Sequence, residues 1–368
     1  MNKTITALAI LMASFAANAS VLPETPVPFK SGTGAIDNDT VYIGLGSAGT
    51  AWYKLDTQAK DKKWTGLAAF PGGPRDQATS AFIDGNLYVF GGIGKNSEGL
   101  TQVFNDVHKY NPKTNSWVKL ISHAPMGMAG HVTFVHNGKA YVTGGVNQNI
   151  FNGYFEDLNE AGKDSTAIDK INAHYFDKKA EDYFFNKFLL SFDPSTQQWS
   201  YAGESPWYGT AGAAVVNKGD KTWLINGEAK PGLRTDAVFE LDFTGNNLKW
   251  NKLAPVSSPD GVAGGFAGIS NDSLIFAGGA GFKGSRENYQ NGKNYAHEGL
   301  KKSYSADIHL WHNGKWDKSG ELSQGRAYGV SLPWNNSLLI IGGETAGGKA
   351  VTDSVLISVK DNKVTVQN

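Results

Sequence analysis

The chain has 368 residues, with 34 basic and 34 acidic side chains in balance and no cysteine. This balance, without any Lys/Arg cluster, argues against a nucleic-acid or membrane-surface partner, and the absence of cysteine excludes disulfides, thiol nucleophiles and thiolate metal sites. The 45 glycines, with 10 Trp, 14 Tyr and 19 Phe, are typical of short strands joined by tight turns and predict an all-β chain.

The first nineteen residues have the features of a secretory signal peptide. Lys3 provides a positive start, residues 5–15 are largely apolar, and Ala17-Asn18-Ala19 forms a small-residue cleavage site. The apolar run is shorter than the roughly 20 residues that a membrane-spanning helix needs. We therefore expect cleavage after Ala19, export to the periplasm, and a mature domain of residues 20–368 that is not held in a membrane.

One pattern recurs along the rest of the chain: a small-residue strand, an apolar strand ending in a Gly doublet, an aromatic strand, and a Trp that begins a fourth. Five clear copies carry the doublet at Gly91-Gly92, Gly144-Gly145, Asn226-Gly227, Gly278-Gly279 and Gly342-Gly343. A degenerate copy at residues 41–64 precedes them. Six ordered copies predict a six-bladed kelch-type β-propeller. Residues 21–29, residues 363–367 or both would protect the edge where the ring closes.

Two long insertions fall at the same point of the repeat, after the second strand. They span residues 146–187 in the third blade and 280–307 in the fifth. Loops at that point share one face of a propeller, and such loops concentrate binding residues. The first insertion is partly helical in pattern, with Asp164 as a candidate cap for residues 166–174; a lid, a structural excursion and a homodimer contact all remain open.

Carboxylates follow the doublet in only two blades, at Glu228 and Glu344. Partial desolvation at the channel mouth would raise the pKa of such a group toward the range that suits proton transfer. The competing interpretation is a Glu that simply accepts hydrogen bonds from neighbouring backbone N–H groups.

All four arginines of the chain fall on the same predicted face. Arg234 and Arg286 lie in loops after second strands, whereas Arg75 and Arg326 lie just before first strands. A guanidinium binds carboxylate through two parallel hydrogen bonds, so this face predicts a small anionic ligand. Arginine before a first strand often pairs within the kelch unit, so for Arg75 and Arg326 a ligand contact and a structural role are both open.

Other chemistries find little support. The eight histidines, including His309 and His312, form no recognisable metal-ligand set, and no nucleophile elbow or Walker loop occurs. The Asp-box repeats of sialidase propellers are missing too. We expect no metal and no cofactor. Trp207, Tyr208 and Tyr289 are candidates for stacking on a sugar, although most aromatics here would pack the blades.

The signal peptide, the six repeats, the third-blade insertion and the run W-L-I-N-G-E-A-K-P-G-L-R at residues 223–234 resemble the bacterial N-acetylneuraminate epimerase family along the whole chain. The resemblance implies a periplasmic isomerase that interconverts the α and β anomers of N-acetylneuraminic acid. It also implies Glu228 as the proton-transferring residue and Arg234 as the contact to the substrate carboxylate; Arg75, Arg286, Arg326 and Glu344 are further candidates for substrate binding.

The acid that protonates the ring oxygen is not identified by the sequence, and Glu344 and a water molecule are the two candidates. Three other classes stay open. A sialic acid lectin would bind without accelerating anomer exchange, a protein-docking propeller would show no preference for acidic sugars, and a hydrolase or lyase would release a new product from sialosides.

Overall fold

The computed structural model describes residues 21–245, 248–258 and 260–368, and within them the chain is an all-β protein with few helices. The predicted signal peptide, residues 1–19, lies outside the described residues. These ranges contain six antiparallel sheets of four strands, numbered 1 to 6 along the chain. In the described part of the chain, no helix is long and apolar enough to cross a membrane.

The strands of each sheet follow one another in sequence. Sheet 1 contains Thr33–Asp37, Thr40–Gly44, Trp52–Asp56 and Thr65–Gly66; sheet 2 contains Thr79–Ile83, Asn86–Phe90, Asp106–Asn111 and Ser116–His123. Sheet 3 contains His131–His136, Lys139–Gly144, Phe188–Asp193 and Gln198–Glu204; sheet 4 contains Ala214–Lys218, Lys221–Ile225, Val238–Asp242 and Lys249–Leu253. Sheet 5 contains Phe266–Ser270, Ser273–Ala277, Asp307–His312 and Lys315–Glu321; sheet 6 contains Val330–Trp334, Ser337–Ile341, Ser354–Lys360 and Lys363–Gln367.

Most of the shorter elements lie between the second and third strands of a sheet. Small hairpins are formed by Glu228–Lys230 with Leu233–Arg234, Ala280–Phe282 with Lys302–Tyr304, and Glu344–Thr345 with Lys349–Ala350, and Arg75–Asp76 joins Ile93–Lys95 and Thr101–Val103 in a three-stranded sheet. The helices are α1 (Gln148–Ala161), α2 (Ser165–Phe176) and α3 (Ser285–Gln290), with 3₁₀ turns at Gly46–Ala48, Ala180–Tyr183 and Ala346–Gly348.

Local sequence explains the hairpins between first and second strands. In sheets 2 and 3 the two-residue turns are Asp84-Gly85 and Asn137-Gly138, and both residues of each turn have positive φ. Asp-Gly and Asn-Gly adopt this type I′ geometry most readily, and its twist matches the twist of paired strands. The two strands therefore pair as soon as the turn forms.

The Gly doublets connect each sheet to the next repeat. The amide of the second residue donates across the junction, as from Gly145 to the Thr210 carbonyl (2.9 Å) and from Gly279 to the Arg326 carbonyl (2.8 Å). A Cβ on Gly144 would lie 2.5 Å from the Thr210 oxygen, and Gly144 has φ +74°. Glycine suits this backbone angle and this close approach best, and Asn226, at the same place in sheet 4, keeps the positive φ (+60°).

The first strands of the six sheets contact one another in cyclic order, and the first strand of sheet 6 contacts that of sheet 1. Apolar side chains are buried between neighbouring sheets, for example Phe90 and Val107 of sheet 2 against Val142 and Phe192 of sheet 3. The core therefore lies between sheets.

The first described segment, residues 21–29, and the C-terminal strand both lie where the first and last sheets are adjacent. The C-terminal strand Lys363–Gln367 completes sheet 6, while the N-terminal segment pairs through Phe29 with Val351. The Phe29 carbonyl also accepts a hydrogen bond of 2.7 Å from the amide of Gly343, the last doublet. The closure thus uses both segments that the sequence suggested.

Candidate active site

A central cavity of about 710 Å³ runs between the first strands of all six sheets. Its inner wall is formed by residues just before each first strand and, except in sheet 5, by the start of that strand, and aromatic side chains of the sheet 3 insertion also line it. The insertion contributes Val146, Phe151, Tyr154, Phe155, Tyr175, Phe176 and Phe185. Glu228, Pro231, Lys302, Tyr328 and Glu344 line the same cavity, so both carboxylates singled out from the repeat reach one site.

The Glu228–Arg234 pair is built by a tight hairpin in the sheet 4 segment. Pro231 presets φ for the second position of the turn, and Gly232 supplies the positive φ (+81°) that the third position needs. The register places Glu228 directly opposite Arg234. A Cβ on Gly232 would lie 1.7 Å from the Nδ1 atom of His297, so only glycine fits this turn.

Glu228 is held by one hydrogen bond and one ion pair on the same oxygen. Its Oε1 accepts a 2.6 Å hydrogen bond from the Gly232 amide and lies 2.5 Å from Nη1 of Arg234. The hydrogen bond from the Gly232 amide is expected if Glu228 has only a structural role. However, Glu228 also lines the cavity. Oε2 is therefore the oxygen that we expect to exchange protons with a bound molecule.

Arg234 lies one side chain behind the cavity surface. Its side chain is 6% exposed. Burial lowers its pKa, but the interactions of the guanidinium with Glu228 and Tyr328 outweigh burial and raise the pKa above its ordinary value. The side chain stays cationic, flanked by two residues that line the cavity.

Glu344 has a pKa opposite to the one expected from the sequence. Burial raises its pKa, but Lys30 (2.7 Å), Lys302 (2.6 Å) and the hydroxyl of Tyr304 donate to its carboxylate, and together they lower the pKa to about 2. Glu344 is therefore ionised at neutral pH and has no proton to give. The suggestion that it serves as the acid at the ring oxygen is wrong on this ground, while its role in substrate binding stays a prediction.

The other predicted arginines occupy two kinds of position. Arg75 makes a two-pronged ion pair with Asp106 (2.5 and 2.9 Å), and Arg326 pairs with Asp353 at 2.6 Å. Both donate as well to the carbonyl of the first doublet glycine in their own repeat, and both are absent from the cavity lining. Arg286 pairs with Asp236 at 3.0 Å, beside the backbone of the Arg234 hairpin. Contact of these three side chains with a ligand stays a prediction.

The sheet 3 insertion is more helical than its sequence pattern indicated. The predicted cap is confirmed, since Asp164 accepts hydrogen bonds from the amides of Thr166 and Ala167 and helix α2 follows. Helix α1, capped by Asn147, was not predicted separately. The Tyr154 and Tyr175 rings stack between the two helices at 3.9 Å, and both line the cavity.

Lys230 anchors this insertion to the rest of the site. It is fully buried, and its ammonium donates to the backbone carbonyls of Phe176 (2.9 Å), Lys178 (2.5 Å) and Asn294. Burial lowers its pKa to about 8, with Asp177 opposing the shift. The side chain of Lys230, which belongs to the Glu228 hairpin, thus connects this hairpin to the C-terminal end of α2 and to the sheet 5 insertion.

Lys230→Met is expected to destabilise the protein by about 1–3 kcal/mol, because it keeps the length of the side chain but leaves buried carbonyls without a donor. Urea unfolding measures the loss, and limited proteolysis should cleave within residues 146–187 sooner than in the wild type. The exposed Lys163→Met, between α1 and α2, is the matched control. Equal resistance of both variants to protease would contradict the anchoring role.

Sequence reasoning missed Tyr328, Tyr304, Lys30 and Lys302. Alignment of the repeats carried a signal for Tyr328, because Gly130, Gly212 and Gly264 occupy the same place before the first strands of sheets 3, 4 and 5. No comparable signal marked the two lysines. Lys30 lies 314 positions and Lys302 lies 42 positions before Glu344 in the chain, yet both donate to its carboxylate.

Comparison with known proteins identifies the family. The sequence profile described as N-acetylneuraminate epimerase matches residues 22–366. N-acetylneuraminate epimerase of Escherichia coli strain K12 is 99% identical over 368 residues, covering 100% of both chains, and that of Shigella flexneri serotype 5b strain 8401 is 98% identical over the same length. A solved structure of YjhT superposes with a TM-score of 0.94 at 99% identity, covering 95% of this chain and 100% of that one. The chain belongs to the N-acetylneuraminate epimerase family.

Proposed function

We propose that this chain is an N-acetylneuraminate epimerase that interconverts the α and β anomers of the free sugar by acid–base ring opening and closure. Glu228 carries the proposal: it lines the central cavity and is held against Arg234, in a chain whose family profile bears that name. The reaction moves protons and one C–O bond with no net oxidation, so side-chain acids and bases suffice for it.

The proposed sequence begins with Glu228. Its Oε2 takes the proton of the anomeric hydroxyl while the bond from C2 to the ring oxygen breaks and the ring oxygen receives a proton from an acid or a water molecule, which gives the open keto form. Rotation about C2–C3 then presents the other face of the carbonyl, and closure reverses the proton transfers. The fixed carboxylate of Glu228 supplies orientation, which is the main advantage of a bound catalyst for such a step.

Arg234 provides positive charge for the carboxylate of the substrate. Its guanidinium lies behind the cavity wall, ion-paired with Glu228, where the low local dielectric strengthens its attraction for an anion. Lys302 adds a second cation on the cavity surface. With C1 held, only the C2–C3 bond needs to turn during anomer exchange.

We also infer that the six sheets are the blades of a kelch-type propeller. The four-stranded sheets, the cyclic contacts of their first strands and the doublets that bond each sheet to the next repeat support this interpretation. Export to the periplasm, with cleavage after Ala19, is proposed from the sequence of residues 1–19. A homodimer also stays a prediction, which sedimentation of the purified chain would check.

The function is tested by releasing α-N-acetylneuraminic acid from a sialoside with a sialidase inside an NMR tube and following its conversion to the β anomer. The chain is expected to accelerate the exchange in proportion to its concentration and to form no third product. Saturable binding without acceleration would identify a lectin instead, and a new product would identify a lyase. Absence of both binding and acceleration would leave a docking propeller.

A further inference from the structure

The backbone at Tyr328 adopts a conformation that a bulky residue avoids. Six equivalent positions, each just before a first strand, have φ between +55° and +65°: Ser31, Gln77, Gly130, Gly212, Gly264 and Tyr328. Neighbouring members are joined around the cavity by backbone hydrogen bonds, such as Ser31 N–H to the Tyr328 carbonyl and Tyr328 N–H to the Gly264 carbonyl, both 2.8 Å. The fold imposes this angle, and a tyrosine here costs about 1–2 kcal/mol relative to glycine.

The position next to Tyr328 is shaped to receive its ring. A Cβ on Gly264 would lie 2.3 Å from Cδ1 of Tyr328, and the other nearest atoms belong to the same ring. Glycine at 264 therefore meets two needs at once, the positive φ and the space for a neighbouring aromatic side chain. Strained residues of this kind cluster at functional sites.

Tyr328 and the proposed base both act on the same arginine. Arg234 is ion-paired with Glu228, Tyr328 contributes to the raised pKa of its guanidinium, and both Glu228 and Tyr328 line the cavity. The Lys302 ammonium stands 4.5 Å from the centre of the Tyr328 ring. Two cations therefore flank the phenol, and both would stabilise a phenolate formed transiently during proton transfer.

Two nearby groups are poorly suited to give a proton to the ring oxygen. The pKa of Glu344 is lowered to about 2, and Tyr304 already donates its hydroxyl to Glu344. Burial and the charge and hydrogen bond of Glu344 raise the pKa of Tyr304, so it holds its proton more tightly. Tyr328, in contrast, has a guanidinium as its neighbour, which donates hydrogen bonds and accepts none. Its own O–H remains available to a ligand.

We propose that Tyr328 is the catalytic acid that protonates the ring oxygen in the cavity that Glu228 also lines; this inference rests on the proposed function. As the C2–O6 bond breaks, O6 takes the phenolic proton and the anomeric hydroxyl gives its proton to Glu228. On closure, O6 attacks the other face of C2, O6–H returns its proton to the phenolate, and Glu228 returns its proton to the new anomeric oxygen. Every proton is restored at the end of a turnover.

Tyr328→Phe is the direct test, because it keeps the ring over Gly264 and removes only the hydroxyl. We expect anomer exchange to slow by roughly 10²- to 10⁴-fold with unchanged affinity for N-acetylneuraminic acid, measured by calorimetry. Tyr201→Phe, which loses a phenol from an outer strand where the side chain is 65% exposed, is the matched control. The double variant with Glu228→Gln should lose little beyond the larger single loss, since the two groups act in one step.

The outcomes distinguish failure of the proposed epimerase function from failure of the proposed role of Tyr328. If the wild type accelerates exchange and Tyr328→Phe does so equally, the epimerase stands and the role of Tyr328 is overturned. A loss of affinity as large as the loss of rate would make Tyr328 a binding residue only, which also overturns the role as acid. If the wild type itself fails to accelerate exchange, the proposed function falls and the role of Tyr328 falls with it.

Discussion

Glu228→Gln is expected to lower the rate of anomer exchange by roughly 10²- to 10⁴-fold while leaving the affinity for N-acetylneuraminic acid close to that of the wild type. The amide keeps the shape of the side chain, and its oxygen can still accept from the Gly232 amide, as Oε1 does now. It cannot take up a proton at the position of Oε2. The measurement is the NMR decay of the α anomer in the presence of each protein.

The matched control is Glu98→Gln, an exposed glutamate between the second and third strands of sheet 2. It removes the same charge from the corresponding segment of another repeat, outside the cavity lining. We expect wild-type exchange from this control. Full activity in Glu228→Gln would show that another group is the base, and an equal loss in both variants would point to a general effect of charge.

The parts of the site that the sequence predicted are those determined by short segments. The Glu228 hairpin depends on a Pro-Gly turn and a cross-strand pair within seven residues, so its geometry follows from local conformational preference. The six sheets are similarly local, because their strands pair with neighbours along the chain. Alignment of the repeats then indicated which two of them carry a carboxylate after the doublet.

What the sequence did not predict depends on contacts between distant segments. The pKa of Glu344 falls because Lys30 and Lys302 reach it from two other repeats, whereas the position after the doublet alone suggested desolvation and a raised pKa. Lys230 looked like one of many lysines, yet it is buried beneath two insertions. The pKa and the role of such a side chain depend on its burial and on its partners, and neither of these follows from the local sequence.

Arg75 and Arg326 share one sequence position but have different environments. The partner of Arg75, Asp106, has a side chain that is only 5% exposed, whereas Asp353, the partner of Arg326, is 43% exposed. Loss of a buried partner leaves an uncompensated charge in a low-dielectric interior, but an exposed carboxylate is simply hydrated. The same substitution should therefore have unequal effects at these two positions.

Arg75→Met is expected to lower the free energy of unfolding by about 3–5 kcal/mol, and Arg326→Met by less, as measured by urea denaturation.

Burial raises the pKa of Asp106, but its hydrogen bond and ion pair with Arg75 lower the pKa overall in the wild type. Without Arg75 the effect of burial dominates, so Asp106 takes up a proton more readily folded than unfolded, and the variant gains stability relative to the wild type as pH falls. The deficit should narrow from pH 7 toward the ordinary range of an Asp pKa, about 4. A deficit that is the same at all pH values would contradict the assignment to Asp106, and normal stability with weakened sugar binding would make Arg75 a ligand contact.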